Sequence, residues 1–270
     1  MTSKNDLPLA QRSDADLPGH WLLARLGKRV LRPGGLELTT RLLGAAKIKG
    51  ADVVELGPGL GRTATDIAAQ GPRSYVGVDD SSTTSGPLQQ AITATGGRLV
   101  AADAAETGLD AGSADVVVGE AMLTMQGEKS KKAIVDEAFR VLRPGGRYAI
   151  HELGLVPDTL ADGIKDDIRR EMARAIKVNA RPLTVAEWTE LLTGAGFEVA
   201  SVDRAPMALL QPRRMIADEG LFGALRIVGN VLTHPAARKR VLHMRKTFNR
   251  YGKQLTAVAI VAVVPATAAK

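Results

Sequence analysis

A short apolar run that ends in an acid and is followed by three closely spaced glycines restricts the fold of this 270-residue chain most strongly. Glu55 ends the run, Gly57, Gly59 and Gly61 follow at every second position, and a helical pattern begins at once. Such glycines let the backbone turn sharply and approach a ligand, toward which the next helix directs its free N–H groups. The third glycine comes one residue too early for the dinucleotide-binding fingerprint, which disfavours a nicotinamide dehydrogenase.

The rest of the chain alternates strand-like and helical patterns. Short apolar runs separated by helical stretches predict a parallel sheet that is covered by helices on both faces. The predicted strands are 52–56, 74–78, 98–101, 115–118, 147–153, 197–202 and 255–265, and the helices among the first five strands are 63–70, 87–95 and 130–142. Further helices are predicted over 20–31, 36–43, 160–176 and 184–194, the last beginning with a capping box.

Acidic residues follow the predicted strands at the edge where open α/β sheets bind ligands. Asp79 and Asp80 end the second strand, and Asp79 lies twenty residues after Gly59, a spacing at which a carboxylate binds ribose hydroxyls. Asp103 and Ala104 follow the third strand, although an aspartate there can also simply initiate a turn. Glu120 ends the fourth strand.

Together these pieces resemble the class I S-adenosylmethionine-dependent methyltransferases over residues 46–155. The resemblance rests on the Glu55–Gly61 loop, on Asp79, Asp103 and the strand before Glu120, and on the Leu-Arg-Pro-Gly-Gly turn at 142–146. It implies an α/β, Rossmann-like sheet of seven strands in the order 3-2-1-4-5-7-6, with strand seven antiparallel. Residues 197–202 and 255–265 would be strands six and seven.

The resemblance also implies a cofactor, S-adenosylmethionine, which leaves as S-adenosylhomocysteine. The glycines would lie beneath its amino-acid part, Asp79 would bind the ribose, Asp103 and Ala104 would frame the adenine, and Glu120 would lie near the methyl group. The cofactor-binding residues expected are Glu55, Gly57, Gly59, Gly61, Asp79, Asp80, Asp103, Ala104, Gly119 and Glu120.

Methyl transfer is an in-line displacement in which the protein mainly aligns the reactants, so a base is needed only for some acceptors. His151 and Glu120 are the catalytic candidates, with packing and cofactor binding as their alternative roles. The residues expected in the substrate pocket, most of which could equally be core, are Trp21, Met122, Met125, His151, Glu152, Met215 and Phe222.

Four segments are expected. They are a flexible N-terminal lead (1–18), an N-terminal helical lid (19–45), the methyltransferase core (46–210 and 254–266) and a basic helical insertion that serves as a substrate lid (211–253). Between Arg204 and Lys253 lie eleven lysines and arginines against two acids, a net charge of +9 in a chain of net charge +7. Such a segment suits nucleic acid, anionic lipid or an acidic substrate, or is simply a solvated helical face.

Composition narrows the remaining choices. The chain has no cysteine, which excludes disulfides and thiol nucleophiles, and its four histidines are too scattered to predict a metal site. No apolar run is long enough to span a membrane and no secretory signal is visible, so a cytoplasmic monomer or homodimer is expected.

The predicted function is methylation of an O, N or C atom of a small acceptor, hydrophobic and aromatic or heterocyclic. One alternative is an RNA or protein methyltransferase that uses the basic segment 204–253. An Asn/Asp-Pro-Pro-Tyr/Phe motif after the fourth strand would mark an enzyme that methylates the amino groups of nucleobases. Here the fourth strand leads into Gly-Glu-Ala-Met, which argues against such an enzyme. Another alternative is a non-catalytic cofactor-binding protein.

Overall fold

A mixed β-sheet forms the centre of the computed structural model, which describes residues 9, 11–80 and 84–266. Its strands in the described residues are β1 (Asp52–Leu56), β2 (Ser74–Asp79), β3 (Arg98–Ala101), β4 (Ala114–Glu120), β5 (Leu142–Leu155), β6 (Leu183–Thr184), β7 (Glu198–Pro206) and β8 (Leu255–Val263). The order is β3-β2-β1-β4-β5-β8-β7, with β6 paired to β5 off this path. Only β8 runs antiparallel to its neighbours among these strands.

This order confirms the predicted fold. When the two-residue β6 is set aside, β7 and β8 are the predicted strands six and seven, and the order becomes 3-2-1-4-5-7-6. Parallel neighbours need a crossover helix on a face of the sheet, which explains why the central strands β1 and β4 are almost entirely buried. The carboxyl ends of the parallel strands therefore meet at one edge.

Helices cover both faces of the sheet and this edge. They are α1 (Gly19–Arg25), α2 (Gly35–Ala46), α3 (Arg62–Ala68), α4 (Gly86–Thr95), α5 (Glu128–Val141), α6 (Asp162–Ile176), α7 (Val185–Gly194), α8 (Pro212–Thr233) and α9 (Pro235–Arg250). The capping box predicted at Thr184 and Glu187 is present at the start of α7. In the described part of the chain, no helix combines the length and apolarity needed to cross a bilayer.

The helix predicted over 20–31 is wrong in its second half. α1 ends at Arg25, and Gly27 has a φ of 103°, in the left-handed region that a helix does not use. Residues 26–34 therefore form a loop that runs over the sheet edge before α2 begins. The strand predicted over 147–153 extends in both directions to Leu142–Leu155 and absorbs the glycine turn.

A third apolar cluster, separate from those on the two faces of the sheet, lies over its carboxyl edge. It joins Leu22 and Leu26 from the N-terminal segment, Met172 from α6 and Met244 from α9 to the end of β5. We call α1, α6 and α9 the helical roof. Of the lead predicted to be flexible, residues 1–8 and 10 lie outside the described residues, whereas Leu17 is buried in this cluster.

Candidate active site

The glycine loop after β1 opens onto a cavity of about 730 Å³ between the sheet edge and the helical roof. Gly57, Gly59 and Gly61 all have positive φ, at 65°, 51° and 73°. A Cβ on Gly57 or Gly59 would meet nothing closer than 3.8 Å, whereas one on Gly61 would lie 2.3 Å from the backbone nitrogen of Leu88. The first two glycines thus border the cavity without crowding from the protein, and the third allows α3 to pack against α4.

Acids from neighbouring strands line the same cavity. Asp79, at the end of β2, accepts a hydrogen bond from the backbone N–H of Gly59 at 3.3 Å, which ties the second strand to the glycine loop. Asp80, Asp103 and Ala104 also line it. The Asp103 carboxylate accepts from the backbone N–H of Ala105 at 2.7 Å, so it shapes its own turn as well.

Glu55 is a buried carboxyl group in the cavity wall. Its side chain accepts a hydrogen bond from the Tyr75 hydroxyl at 2.6 Å. Burial raises the pKa of Glu55 to about 8, and the charge of Glu120 adds to this effect, although the Tyr75 hydrogen bond and the charge of Arg32 oppose it. Without a cationic partner this group therefore holds a proton near neutral pH.

Glu120, at the end of β4, is the centre of a buried polar cluster. Its carboxylate accepts from Thr39 at 2.6 Å, from Thr63 at 2.5 Å, from His151 at 2.9 Å and from the Nε of Arg32 at 2.9 Å. Burial favours the protonated acid, but the charge of Arg32 and the His151 hydrogen bond outweigh it and lower the pKa of Glu120 to about 2. Glu120 is therefore an ionised, well-satisfied anion and a weak base.

His151 is fully buried beside Glu120 and does not line the cavity among the described residues. The backbone N–H of Gly34 donates to its Nε2 at 3.1 Å, so this nitrogen carries a lone pair. The proton consequently lies on Nδ1, which donates to Glu120. Both ring nitrogens are thus bonded within the protein, which argues against a role for His151 as the acceptor's base.

The Glu152 carboxylate is hydrogen-bonded to the loop that follows β4. It accepts from the backbone N–H groups of Met122, Leu123 and Thr124 and from the Thr124 hydroxyl. Burial raises the pKa of Glu152 despite these hydrogen bonds. Glu152 therefore lies behind the loop that follows β4 and shapes the cavity wall, where Met122 and Thr124 are exposed to the cavity, without lining it itself.

The roof supplies the apolar half of the cavity. Of the predicted pocket residues, Trp21, Met122 and Met125 line it, whereas Met215 is half-buried on α8 and Phe222 is 87% exposed there. The other apolar lining residues from the roof and its surroundings are Leu23, Leu31, Leu153, Met172, Ile176, Met207, Leu209, Met244 and Phe248.

Sequence reasoning missed two functional candidates, His20 and Arg32, which both line the cavity. The His20 ring contacts Trp21, with ring centroids 4.8 Å apart, and burial lowers its pKa to about 4. No motif marks either residue, because both come from the N-terminal segment and reach the site only through tertiary packing. Gly61 and Gly119, in contrast, were expected at the cofactor but do not line the described cavity.

Comparisons with known proteins extend the resemblance. Residues 54–150 match the family described as a methyltransferase domain. The chain is 34% identical over 250 residues to an uncharacterized protein of Haemophilus influenzae, and the match covers 91% of this chain and 97% of that protein. It is 32% identical over 155 residues to a protein of Mycolicibacterium smegmatis described as a probable S-adenosylmethionine-dependent methyltransferase, covering 57% of this chain and 55% of the other.

A solved structure shows the same fold. It is a phosphoethanolamine N-methyltransferase 2 from Haemonchus contortus, in complex with phosphomonomethylethanolamine and S-adenosylhomocysteine. The two chains are 18% identical and superpose with a TM-score of 0.66 over 97% of this chain and 60% of the other.

Proposed function

Because this chain belongs to the class I S-adenosylmethionine-dependent methyltransferases, we propose that it transfers a methyl group to a small, largely apolar acceptor. The observation that carries the acceptor class is the division of one cavity into two halves. Glycines and acids line the half at the sheet edge, and apolar side chains of the roof line the other half.

The sheet-edge half fits the cofactor. The cavity above Gly57 and Gly59 admits its amino-acid part, and the buried Glu55, which has no cation within 4.0 Å among the described residues, suits a positively charged group. Asp79 accepts from the ribose hydroxyls, with Asp80 beside it, and Asp103 and Ala104 bind the adenine. The bound cofactor supplies the methyl group and the leaving sulfur.

The roof half binds the acceptor and excludes water. Trp21, Met244 and Phe248 provide a wall that an apolar or aromatic molecule can fill, and methionines adapt to irregular shapes. His20 supplies a neutral imidazole within this wall, because burial keeps its pKa well below neutral pH. It accepts a hydrogen bond from an O–H or N–H of the acceptor and thereby orients the nucleophile.

Glu120 and His151 act through their position and not as bases. The ionised Glu120, fixed by four donors, holds the 32–39 segment against β4 and β5 and places a negative charge beside the reacting centre. A preorganised anion there favours the positively charged cofactor.

The cytoplasmic location and the oligomeric state stay predictions.

Titration calorimetry with S-adenosylmethionine, S-adenosylhomocysteine and NAD tests the cofactor half. Asp79→Ala is expected to weaken binding of the first two by about 10- to 100-fold, since it removes hydrogen bonds to a charged group. Asp110→Ala, which removes an exposed acid outside the cavity, is the matched control and should bind like the wild type. Binding of NAD alone would refute the proposal.

A labelled-methyl screen tests the acceptor half. Acceptors of graded apolarity that carry a phenol, a hydroxyl or a heterocyclic N–H are expected to be methylated, and Phe248→Ser is expected to raise KM for them. Methylation of an RNA or of a protein, with no labelled small molecule, would favour the alternative based on the basic segment. Cofactor binding without any methyl transfer would favour a non-catalytic protein.

A further inference from the structure

The outer face of the α8–α9 hairpin (Pro212–Arg250) exposes an unusual amount of apolar surface. Ten large hydrophobic side chains are exposed in the described residues, and seven of them lie on this hairpin: Ile216, Leu221, Phe222, Leu225, Val228, Leu232 and Leu242. Leu221, Leu225, Val228 and Leu232 follow one another at spacings of three and four residues, which places them along one side of α8. Single exposed hydrophobic residues are ordinary, but a continuous stripe marks an interaction surface.

The hairpin's buried side does not account for these residues. The apolar residues that it buries against the rest of the molecule are Ala224 and Ile227 of α8 and Ala237, Met244 and Phe248 of α9. The apolar stripe is a second face, on the side away from the protein interior. The basic charge lies on the outside as well.

Six exposed arginines and lysines accompany the stripe, and none has a carboxylate within 4.0 Å among the described residues: Arg213, Arg238, Lys239, Arg245, Lys246 and Arg250. A seventh, Arg226, donates to the carbonyl of Gly27 at 3.1 Å and is therefore directed toward the N-terminal loop. The two acids of the hairpin are turned inward. Asp218 and Glu219 are buried against Lys28, at 3.8 and 3.5 Å, and Glu219 accepts from the backbone N–H groups of Arg29 and Val30. The outer face is therefore apolar and uniformly positive.

We propose that the α8–α9 hairpin docks on an anionic lipid surface, with the α8 stripe in the interface and the α9 bases against the headgroups. Exposed leucine and phenylalanine beside lysine and arginine is the composition of interfacial helices, and each base near such a surface adds about a fivefold gain in binding. A second copy of the chain is disfavoured, because pairing this face with itself would bring two uniformly positive surfaces together. RNA is disfavoured because the exposed aromatic rings of the hairpin are limited to the Phe222 ring and the His243 imidazole, and the rest of its exposed apolar surface is aliphatic.

This inference goes beyond the proposed methyl transfer and does not depend on it. The hairpin links the docking surface to the cavity proposed for methyl transfer, because Met244 and Phe248 on its inner side line that cavity. An apolar acceptor that resides in a membrane would thus meet the enzyme at the element that forms the cavity wall.

Vesicle co-sedimentation of the full chain tests the docking surface. One set of vesicles contains equal parts phosphatidylglycerol and phosphatidylcholine, and the other contains phosphatidylcholine alone. Phe222→Ser/Leu225→Ser removes apolar contact, and Arg245→Gln/Lys246→Gln removes two bases, all outside the cavity. Val202→Ser/Arg204→Gln on the exposed edge strand β7 is the matched control. Far-ultraviolet circular dichroism and thermal melts establish that each variant is folded.

The wild type and the β7 control are expected to bind the phosphatidylglycerol vesicles and not the neutral ones. The Arg245→Gln/Lys246→Gln variant is expected to bind about 25-fold more weakly, and the Phe222→Ser/Leu225→Ser variant at least about tenfold more weakly. Equal binding to both vesicles, no binding, or unchanged binding of the two hairpin variants would overturn the proposal. A lipid-free dimer that Phe222→Ser/Leu225→Ser dissociates, or binding to polyuridylic acid in place of vesicles, would overturn it in favour of the other partners.

Discussion

Replacing Arg32 by methionine is expected to destabilise the protein substantially, because it leaves the Glu120 charge buried without its cation. Both side chains are almost fully buried, at 7% and 4% exposed, and Nε lies 2.9 Å from the carboxylate. Removing one partner of such a pair costs about 3–5 kcal/mol. Since Thr39, Thr63 and His151 still donate to Glu120, we expect the lower end, about 3 kcal/mol. For a chain of this size that corresponds to a fall in Tm of roughly 6–12 °C.

The pH dependence provides a second readout of the same change. In the wild type the pKa of Glu120 is lowered in the folded state, so the stability it contributes is present above its unfolded pKa and lost as pH falls toward 2. Without Arg32 that pKa rises. The free-energy difference between wild type and Arg32→Met should therefore be largest at neutral pH and narrow toward pH 4 and below.

Urea unfolding followed by circular dichroism measures this effect, with Arg32→Met, Glu120→Gln and the double variant forming a cycle. The double variant is expected to be more stable than the sum of the single changes predicts, because it contains no unpaired buried charge. Arg73→Met is the matched control, since Arg73 is 59% exposed in its pairs with Asp52 and Asp115 and should cost less than about 1 kcal/mol. A loss below about 1 kcal/mol for Arg32→Met, or strict additivity, would refute the reasoning.

Three further predictions concern Glu55, Lys28 and His20. The pKa of Glu55 is raised to about 8 in the folded state, so the free energy of unfolding of the unliganded protein should fall as pH rises from about 5 to 8. Glu55→Gln should flatten this pH dependence. An unchanged slope for the variant in urea titrations would contradict the prediction. Lys28→Met leaves Asp218 and Glu219 buried without a cation and should lower the free energy of unfolding by about 3–5 kcal/mol in the same titration. A loss within experimental error would show that the Lys28 charge does not stabilise the fold. His20→Phe removes the group that orients the nucleophile, so it should lower kcat for the acceptor found by the screen by about 100-fold while cofactor affinity is unchanged, and an unchanged kcat would remove His20 from the mechanism.

The sheet and its ligand edge were predictable because each depends on local sequence. Alternating apolar runs and helices specify the parallel strands, and the positive φ at Gly57, Gly59 and Gly61 is a conformation that glycine adopts at the lowest cost. The end of α1 was not predicted, since the apolar and basic pattern continues past Arg25 while Gly27 adopts a conformation that ends the helix. The helical pattern in the sequence therefore extends beyond the residue at which the helix ends.

The interpretation of His151 shows why side-chain roles were harder to predict than the fold. Its position at a strand end suggests a base, yet the Gly34 N–H and Glu120 occupy its two nitrogens. Both contacts join residues that are far apart in the chain, and nothing in the local sequence distinguishes an imidazole that faces a cavity from one that is hydrogen-bonded behind it. His20 is the opposite case. The sequence around it predicts only a helix with apolar and basic residues, yet the packing of the roof places its side chain in the cavity.

The N-terminal segment and the α8–α9 hairpin are joined by a series of buried contacts beside the cavity. Glu219 binds the backbone of Arg29 and Val30, Asp218 accepts from the backbone N–H of Leu36 at 3.0 Å, and between these points the loop carries Arg32 to Glu120. Buried contacts of charged groups thus join the hairpin, the loop and Glu120. The insertion thus lines the cavity on its inner side, through Met244 and Phe248, while the apolar residues on its outer side are exposed.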